Sequence, residues 1–303
     1  MNYKRICTDF EKRYGGKCEE LFFTGKPVIF FSRPAMTVGC SVSVGGCVAL
    51  AKRSDERLVV QFSDSDAYLS CNKLDFKYNK DKKIIDLLLQ AEKYGVKVGG
   101  AAILMYYNSE LSHPFRPMML SALSGFCDNA PQPAELIKHF DGFEKNMICV
   151  SSRKDTLTIF DGQRLQYAPM PDSQVKIVLC SIKEKSLIKH RAEDGTAADA
   201  VTALHRGDIE RFGALLNKET ELLIKKNKLR STEKLFKEAV GLKDAYGSGI
   251  LEDGGIFSVV KNSRVDAFMH NLGTAYEKQF GARPRFYVTR TEESGTRIPV
   301  PQS

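Results

Sequence analysis

The chain lacks any apolar run approaching the roughly 20 residues that a membrane-crossing helix needs. Met1-Asn2-Tyr3-Lys4-Arg5 leads into no signal-peptide core. No membrane partner is expected, and the cytoplasm is the expected compartment. The eight cysteines contain no C-x-x-C pair, which leaves a paired-ligand zinc site without support. Reduced, mostly buried thiols are expected instead, and no metal site is assigned. The basic clusters at Lys80–Lys83, Lys183–Arg191 and Lys225–Arg230 are broken by acids or apolar residues and carry no interleaved aromatics. Without aromatics to stack on bases, the formal net charge of +8 does not read as nucleic-acid binding. Solvated helix faces and loops account for it, and a groove for a small anion such as a nucleotide remains compatible with it. There is no internal repeat and no low-complexity segment.

What is present is the composition of a globular protein. The 303 residues are 43% hydrophobic and 27% charged, enough for about two domains with sizeable cores. Tyr3, Ile6 and Phe10 mark a short first helix ended by Gly15-Gly16. Strand-like runs follow at Glu20–Phe23, Pro27–Ser32, Gly46–Lys52 and Arg57–Phe62, rich in β-branched and aromatic residues between Gly and Pro. Lys82–Tyr94 reads as a helix with Ile84, Ile85, Leu88 and Leu89 inward, Val98–Tyr107 as a strand, and Arg116–Phe126 and Pro133–Phe140 as helices. Thr156–Phe160 and Val175–Ser181 read as strands. Pro and polar residues cluster at Pro169–Ser173, the best boundary, giving domains at 1–172 and 173–303.

The last third is the most regular part. Asp208 is placed to cap a helix that carries Ile209, Phe212, Leu215, Leu216, Leu222 and Leu223 at helical spacing. A second amphipathic run, Ser231–Val240, precedes the β-like Ile256–Val260. Ser263 and Asp266 have the spacing of a capping box, and the helix they open stops at Gly281. Arg285–Thr289 closes as a strand, so the class is α+β.

The stretches "RGDIERFGALLNKE", "YGSGI…GGIFSVVKNSRVDAFMHNLGTAYEKQFGARPRFYV" and "ESGTRI" resemble the C-terminal domain of galactokinases of the GHMP kinase family. That segment runs there from a "GDxxxFGxLMN" helix through a glycine-rich turn to a closing "GARxL". More faintly, "ELFF…FFSRPAMTVGC…GGCVALA", "YGVKVGGAAILMYYNSEL" and "TLTIFD" resemble the family's opening strand, the strand entering its phosphate loop, and the strand after its catalytic aspartate. The resemblance implies a two-domain GHMP-kinase-like fold: a mixed-sheet N-terminal domain and a C-terminal domain of antiparallel sheet plus helices. It also implies ATP and Mg as cofactors if the chain is an active sugar kinase.

The residues of the implied sites depart from the family pattern. Sugar recognition needs carboxylates and imidazole to fix hydroxyls. No Asp, Glu, His, Asn or Gln lies between Glu20 and Asp55. Arg33, Thr37 and Ser41 are the vestigial candidates, and the two hydroxyls also fit ordinary strand or turn roles. A phosphate loop needs small residues whose amides close on oxygens, yet no glycine lies between Gly100 and Gly125. Ser112, His113 and Arg116 are what remains there, beside two prolines that remove amide donors. In the third motif Gly254 and Gly255 are the remaining phosphate-site candidates, but Asp253-Gly254 is itself a hairpin-turn signal. The family's catalytic aspartate has no counterpart between Asp141 and Asp155. Asp155 is conceivable as a substitute base, although Lys-Asp-Thr before a strand is more often a turn. The expectation is a galactokinase-family paralogue without catalysis, binding a metabolite weakly (a sugar or nucleotide) or a protein partner. The alternative is an active sugar kinase using substituted residues.

Overall fold

In the computed structural model the described residues are 1–33, 36–64, 68–72, 82–107, 115–182, 196–252 and 254–301. Among them the chain order begins α1 (Tyr3–Tyr14), β1 (Glu20–Arg33), β2 (Met36–Lys52), β3 (Arg57–Phe62), β4 (Tyr68–Asn72), α2 (Lys82–Lys93) and β5 (Ala101–Tyr106). It continues with α3 (Phe115–Phe126), α4 (Pro133–Ile137), α5 (Phe143–Ser151), β6 (Thr156–Phe160), β7 (Leu165–Pro169) and β8 (Val175–Ser181). The last part holds α6 (Thr196–His205), α7 (Ile209–Asn227), α8 (Arg230–Gly241), β9 (Ala245–Ile250), β10 (Ile256–Lys261), α9 (Val265–Phe280), β11 (Arg285–Thr289) and β12 (Thr296–Ile298).

The chain divides into two compact units, each assembled from separated segments. The first comprises Met1–Lys26, Val44–Ser151 and Glu293–Ser303, the second Pro27–Ser43 and Ser152–Glu292. The boundary expected near Pro169–Ser173 falls inside the second unit. Both long strands change unit partway, β1 at Lys26/Pro27 and β2 at Ser43/Val44.

The first unit is built on a mixed sheet. Its β12–β1, β2–β5 and β3–β4 pairs are antiparallel, while β3 and β5 run parallel. α1 begins where the Asn2 side chain accepts the Arg5 amide and ends at Gly15 in the left-handed conformation. Its buried Ile6, Cys7 and Phe10 join Leu21, Phe23, Ala49 and Leu104 in one apolar cluster. In α2 the inward residues are Ile84, Ile85, Leu87 and Leu88. Leu89 faces solvent, against expectation, because the buried stripe turns through Leu87.

The second unit pairs the start of β2 with β6, and β6 with β7. It also carries a four-stranded antiparallel sheet in the order β11-β8-β10-β9. Ile256–Val260 and Phe286–Thr289 thus lie in one sheet, with β8 between them. Leu235, Phe236, Phe268 and Leu272 from α8 and α9 pack with Ile256 and Val260. Asp208 caps α7 as expected, accepting the Arg211 amide at 2.9 Å. Leu222 turns outward, leaving Leu223 partly packed on the core. The Ser263/Asp266 box does not form. A 3-10 turn, Asn262–Arg264, leads into α9 and no side chain caps it.

One contact fixes how closely α7 sits on the sheet. A Cβ on Gly213 would lie 2.1 Å from the Tyr246 carbonyl oxygen, and one on Gly247 would lie 2.4 Å from the Gly213 carbonyl. Helix and strand backbones touch there, which only glycine permits. Asn217 and Thr220, one and two turns on, then reach the same strand: the Ser248 amide donates to Asn217 at 2.8 Å and the Thr220 hydroxyl to the Ser248 carbonyl at 2.8 Å.

Candidate functional site

Arg33, at the end of β1, is only 8% exposed. Its Nη1 donates to Glu219 Oε1 at 2.9 Å and its Nη2 to Glu219 Oε2 at 2.5 Å, a bidentate pair. The Thr196 hydroxyl accepts from Arg33 Nη2 at 3.0 Å and donates to Glu219 Oε2 at 3.2 Å. The guanidinium is therefore held by α6 and α7 of its own unit. Glu219 is 1% exposed, and burying it demands this partner. The sequence signal for it is spacing: Glu219 falls on the stripe of Ile209, Phe212 and Leu216, where a carboxylate must be met by a cation.

Thr37 and Ser41, on β2, are also buried. Thr37 stands opposite Phe160 in the β2–β6 ladder. Ser41 donates its amide to the Ser152 hydroxyl at 2.7 Å, and its carbonyl accepts the Glu292 amide at 2.9 Å. Arg33, Thr37 and Ser41 thus hold to α7, β6 and the start of the β6 turn respectively. A further buried cation was missed on β1: Lys26 is 4% exposed and engaged within the fold.

The implied phosphate segment is different in kind. Ser112 and His113 lie outside the described residues. Arg116, in the first turn of α3, is exposed; its Nη1 donates to the Asp141 carbonyl at 3.0 Å and its guanidinium lies 5.9 Å from the centre of the Phe140 ring. It ties α3 to the end of the α4 loop. The interval between Asp141 and Asp155, where the family's catalytic aspartate has no counterpart, is mostly the helix α5, with Met147, Ile148 and Cys149 buried.

The glycine-rich stretch is the β9–β10 hairpin. Leu251 donates its amide to Gly255 O at 2.8 Å, and Gly254 donates to Leu251 O at 3.0 Å. Gly254 has φ +92°, and its carbonyl accepts the Thr232 hydroxyl at 2.8 Å. A Cβ on Gly255 would meet the Cys180 carbonyl oxygen at 2.3 Å, and one on Gly249 the Phe257 ring at 2.2 Å. These glycines serve a turn and close packing, as the hairpin reading expects.

Asp155 lies in the turn before β6, with φ +59°, a left-handed conformation that Asp and Asn tolerate better than most residues. Its amide donates to Thr291 Oγ1 at 2.7 Å, and that hydroxyl donates to Asp172 Oδ2 at 2.8 Å. Burial first, then the Asp155 charge, pushes the Asp172 carboxyl above the ordinary carboxylate range, while Thr291 donors act the other way. Asp172 falls in the Pro169–Ser173 stretch expected as a domain boundary. Nothing in Pro171-Asp172-Ser173 signals burial, since its environment comes from Thr291, far along the chain.

This architecture matches solved structures of two kinases and a decarboxylase. Galactokinase of Lactococcus lactis, solved with galactose, superposes with a TM-score of 0.81 at 14% identity, covering 97% of this chain and 98% of that one. The chain has the fold of a GHMP kinase of the galactokinase type. Mevalonate kinase of Methanococcus jannaschii follows with a TM-score of 0.63 at 11% identity, over 91% of this chain and 99% of that one. Mevalonate diphosphate decarboxylase of Staphylococcus aureus gives 0.61 at 9% identity, over 92% and 98%. In sequence, galactokinase of Roseiflexus sp. is 31% identical over 113 residues, which is 35% of this chain and 29% of that protein. No protein-family model matches the chain. Among the described residues, no helix is long and apolar enough to cross a membrane.

Set in the galactokinase-like fold, Arg33, Arg116, Gly254 and Gly255, the described residues at positions where the resemblance implies ligand binding, have partners inside the protein. Arg33 binds Glu219, Arg116 binds a loop carbonyl, and Gly254 and Gly255 build a hairpin. A shared fold does not by itself establish a shared chemistry.

Proposed function

We propose that this chain is a galactokinase-fold protein that does not transfer phosphoryl groups and acts by binding, either weakly to a sugar or nucleotide or to a protein partner. The observation that carries the reading is Arg33. The one arginine in the implied sugar motif is buried and spent on a bidentate bond to Glu219, and Thr37 and Ser41 beside it are buried strand residues. Phosphoryl transfer depends on groups positioned on the phosphates and the attacking hydroxyl. The motif lacks its carboxylates and imidazole, and the turn glycines are committed to packing.

The test is a coupled ADP-release assay on the full chain with ATP, Mg²⁺ and a panel of hexoses, deoxyhexoses and amino sugars. No turnover above background is expected for any sugar. Turnover on the order of 1–100 per second, the usual range for kinases, and abolished by Asp155→Asn, would overturn the reading and establish an active sugar kinase with a substituted base.

A further inference from the structure

Three segments of the second unit meet at Thr291. Asp155 comes from the turn before β6, Asp172 from the connection between β7 and β8, and Thr291 from beyond β11. The Thr291 hydroxyl bonds both aspartates, one by its backbone amide and one by its carboxylate. Thr291 in turn forms a bridge with Val42 on β2. On either side, Ser43 donates its amide to Arg290 O at 3.0 Å and Glu292 donates to Ser41 O at 2.9 Å. Residues 290–292 therefore lie as a short added strand along β2, fastened from behind by the aspartate cluster.

The cluster leaves one account open. Asp172 is 8% exposed. Its Oδ2 accepts from Thr291, while its buried Oδ1 has no hydrogen-bond partner among the described residues. A buried acceptor left unmet is costly, and the neighbouring side chain is a second carboxyl, Asp155. The other charged and titratable groups at the junction are turned elsewhere. Lys176, on β8, donates its Nζ to the Asp172 carbonyl oxygen at 2.7 Å and not to the carboxyl. Arg290 pairs with Glu292 at 3.4 Å. Arg153 stacks 4.0 Å from the centre of the Tyr167 ring. Cys40, facing from β2, is fully buried, and burial pushes its thiol well above the ordinary range. Lys154, beside Asp155, is exposed.

We propose that Asp172 and Asp155 share one proton in the native protein: protonated Asp172 donates through Oδ1 to the Asp155 carboxylate, making the junction a pH-sensitive latch on residues 290–292. One proton satisfies every atom of the cluster. Asp172 accepts on Oδ2 from Thr291, donates from Oδ1, and Asp155 accepts at a position open enough to exchange with solvent. When the proton leaves to solvent, two adjacent carboxylates repel and the hold on Thr291 weakens. The direction follows from linkage. The folded carboxyl is raised above its unfolded value, so the native state binds more protons than the unfolded state. The contribution to stability is complete below the ordinary carboxylate range and is lost as pH rises through the folded value.

The experiment is urea denaturation of the full chain at steps from pH 5 to pH 8, for the natural sequence and for Asp155→Asn and Asp172→Asn. Asparagine keeps the left-handed turn at 155 and supplies a permanent N–H donor to Asp172 Oδ1. Relative to Asp155→Asn, the folding constant of the natural chain should fall by up to about tenfold per pH unit across the window where the shared proton is lost. The variant should be the more stable of the two above that window. Parallel pH profiles would overturn the proposal. Infrared spectroscopy gives an answer that does not depend on a variant folding. A protonated-carboxyl band should persist in the native chain at a pH where ordinary carboxylates are ionised, about pH 6. Its absence there would equally overturn the proposal.

Discussion

Two buried charge clusters of the second unit make opposite bargains with the same low dielectric. At Arg33, a cation meets a carboxylate in bidentate geometry, with a threonine hydroxyl filling in. At Asp172, a carboxyl neighbours a second carboxyl, and a threonine hydroxyl bonds one of its oxygens. The first cluster brings opposite charges together within the protein. The second is complete only with a proton borrowed from solvent. The difference teaches that a charged residue at a family motif position must be read with its neighbours: Arg33 resembles a ligand-binding group by sequence, and its neighbours make it a tie between β1 and α7.

The comparison breaks most visibly at Glu219. Glu219→Ala leaves the Arg33 guanidinium buried without its carboxylate, and such a loss costs about 3–5 kcal/mol. Denaturant titration should show that drop, and Arg33→Met with Glu219→Leu should recover much of it, because a well-packed apolar pair can replace a buried ion pair. A loss under about 1 kcal/mol, the range of an exposed pair, would mean the cluster is not closed as described.

A smaller effect of opposite sign is expected in the other cluster. Asp172→Asn removes the repulsion, so it should raise stability at pH 8 and change little at pH 5, read as the shift in denaturation midpoint. Equal shifts at both pH values would show that packing and not the proton governs the site.

Much of the fold was legible because local pattern and tertiary role agree. β3, β6 and β8 fall where alternation and turn residues put them, and Gly15 and Gly281 end α1 and α9 in the left-handed conformation. Gly213 of α7 and Gly247 of β9 fall in stretches that carry the resemblance, and two backbones touch there. Other elements were hidden. α5 has no counterpart in the sequence reading, because its consecutive buried residues Met147, Ile148 and Cys149 show no helical spacing. β1 was read as two strands because Pro27 interrupts the pattern; it sits past the Leu21–Phe23 segment that pairs with β12. The Ser263/Asp266 spacing matched a capping box, but the chain enters α9 through a 3-10 turn that no short motif reports. At the candidate site the sequence showed which residues were absent. It could not show what the remaining ones hold, since Glu219 lies 186 residues from Arg33 and Thr291 119 residues from Asp172.

The central claim is that the groups left at the implied ligand positions are committed to the protein's own fold. Calorimetric titration of ATP into the full chain at near-physiological salt, with and without Mg²⁺, tests it most directly. The account predicts no binding tighter than the micromolar range and no change on Arg116→Ala. Sub-micromolar affinity that collapses in Arg116→Ala would contradict it, by revealing an anion site at the start of α3.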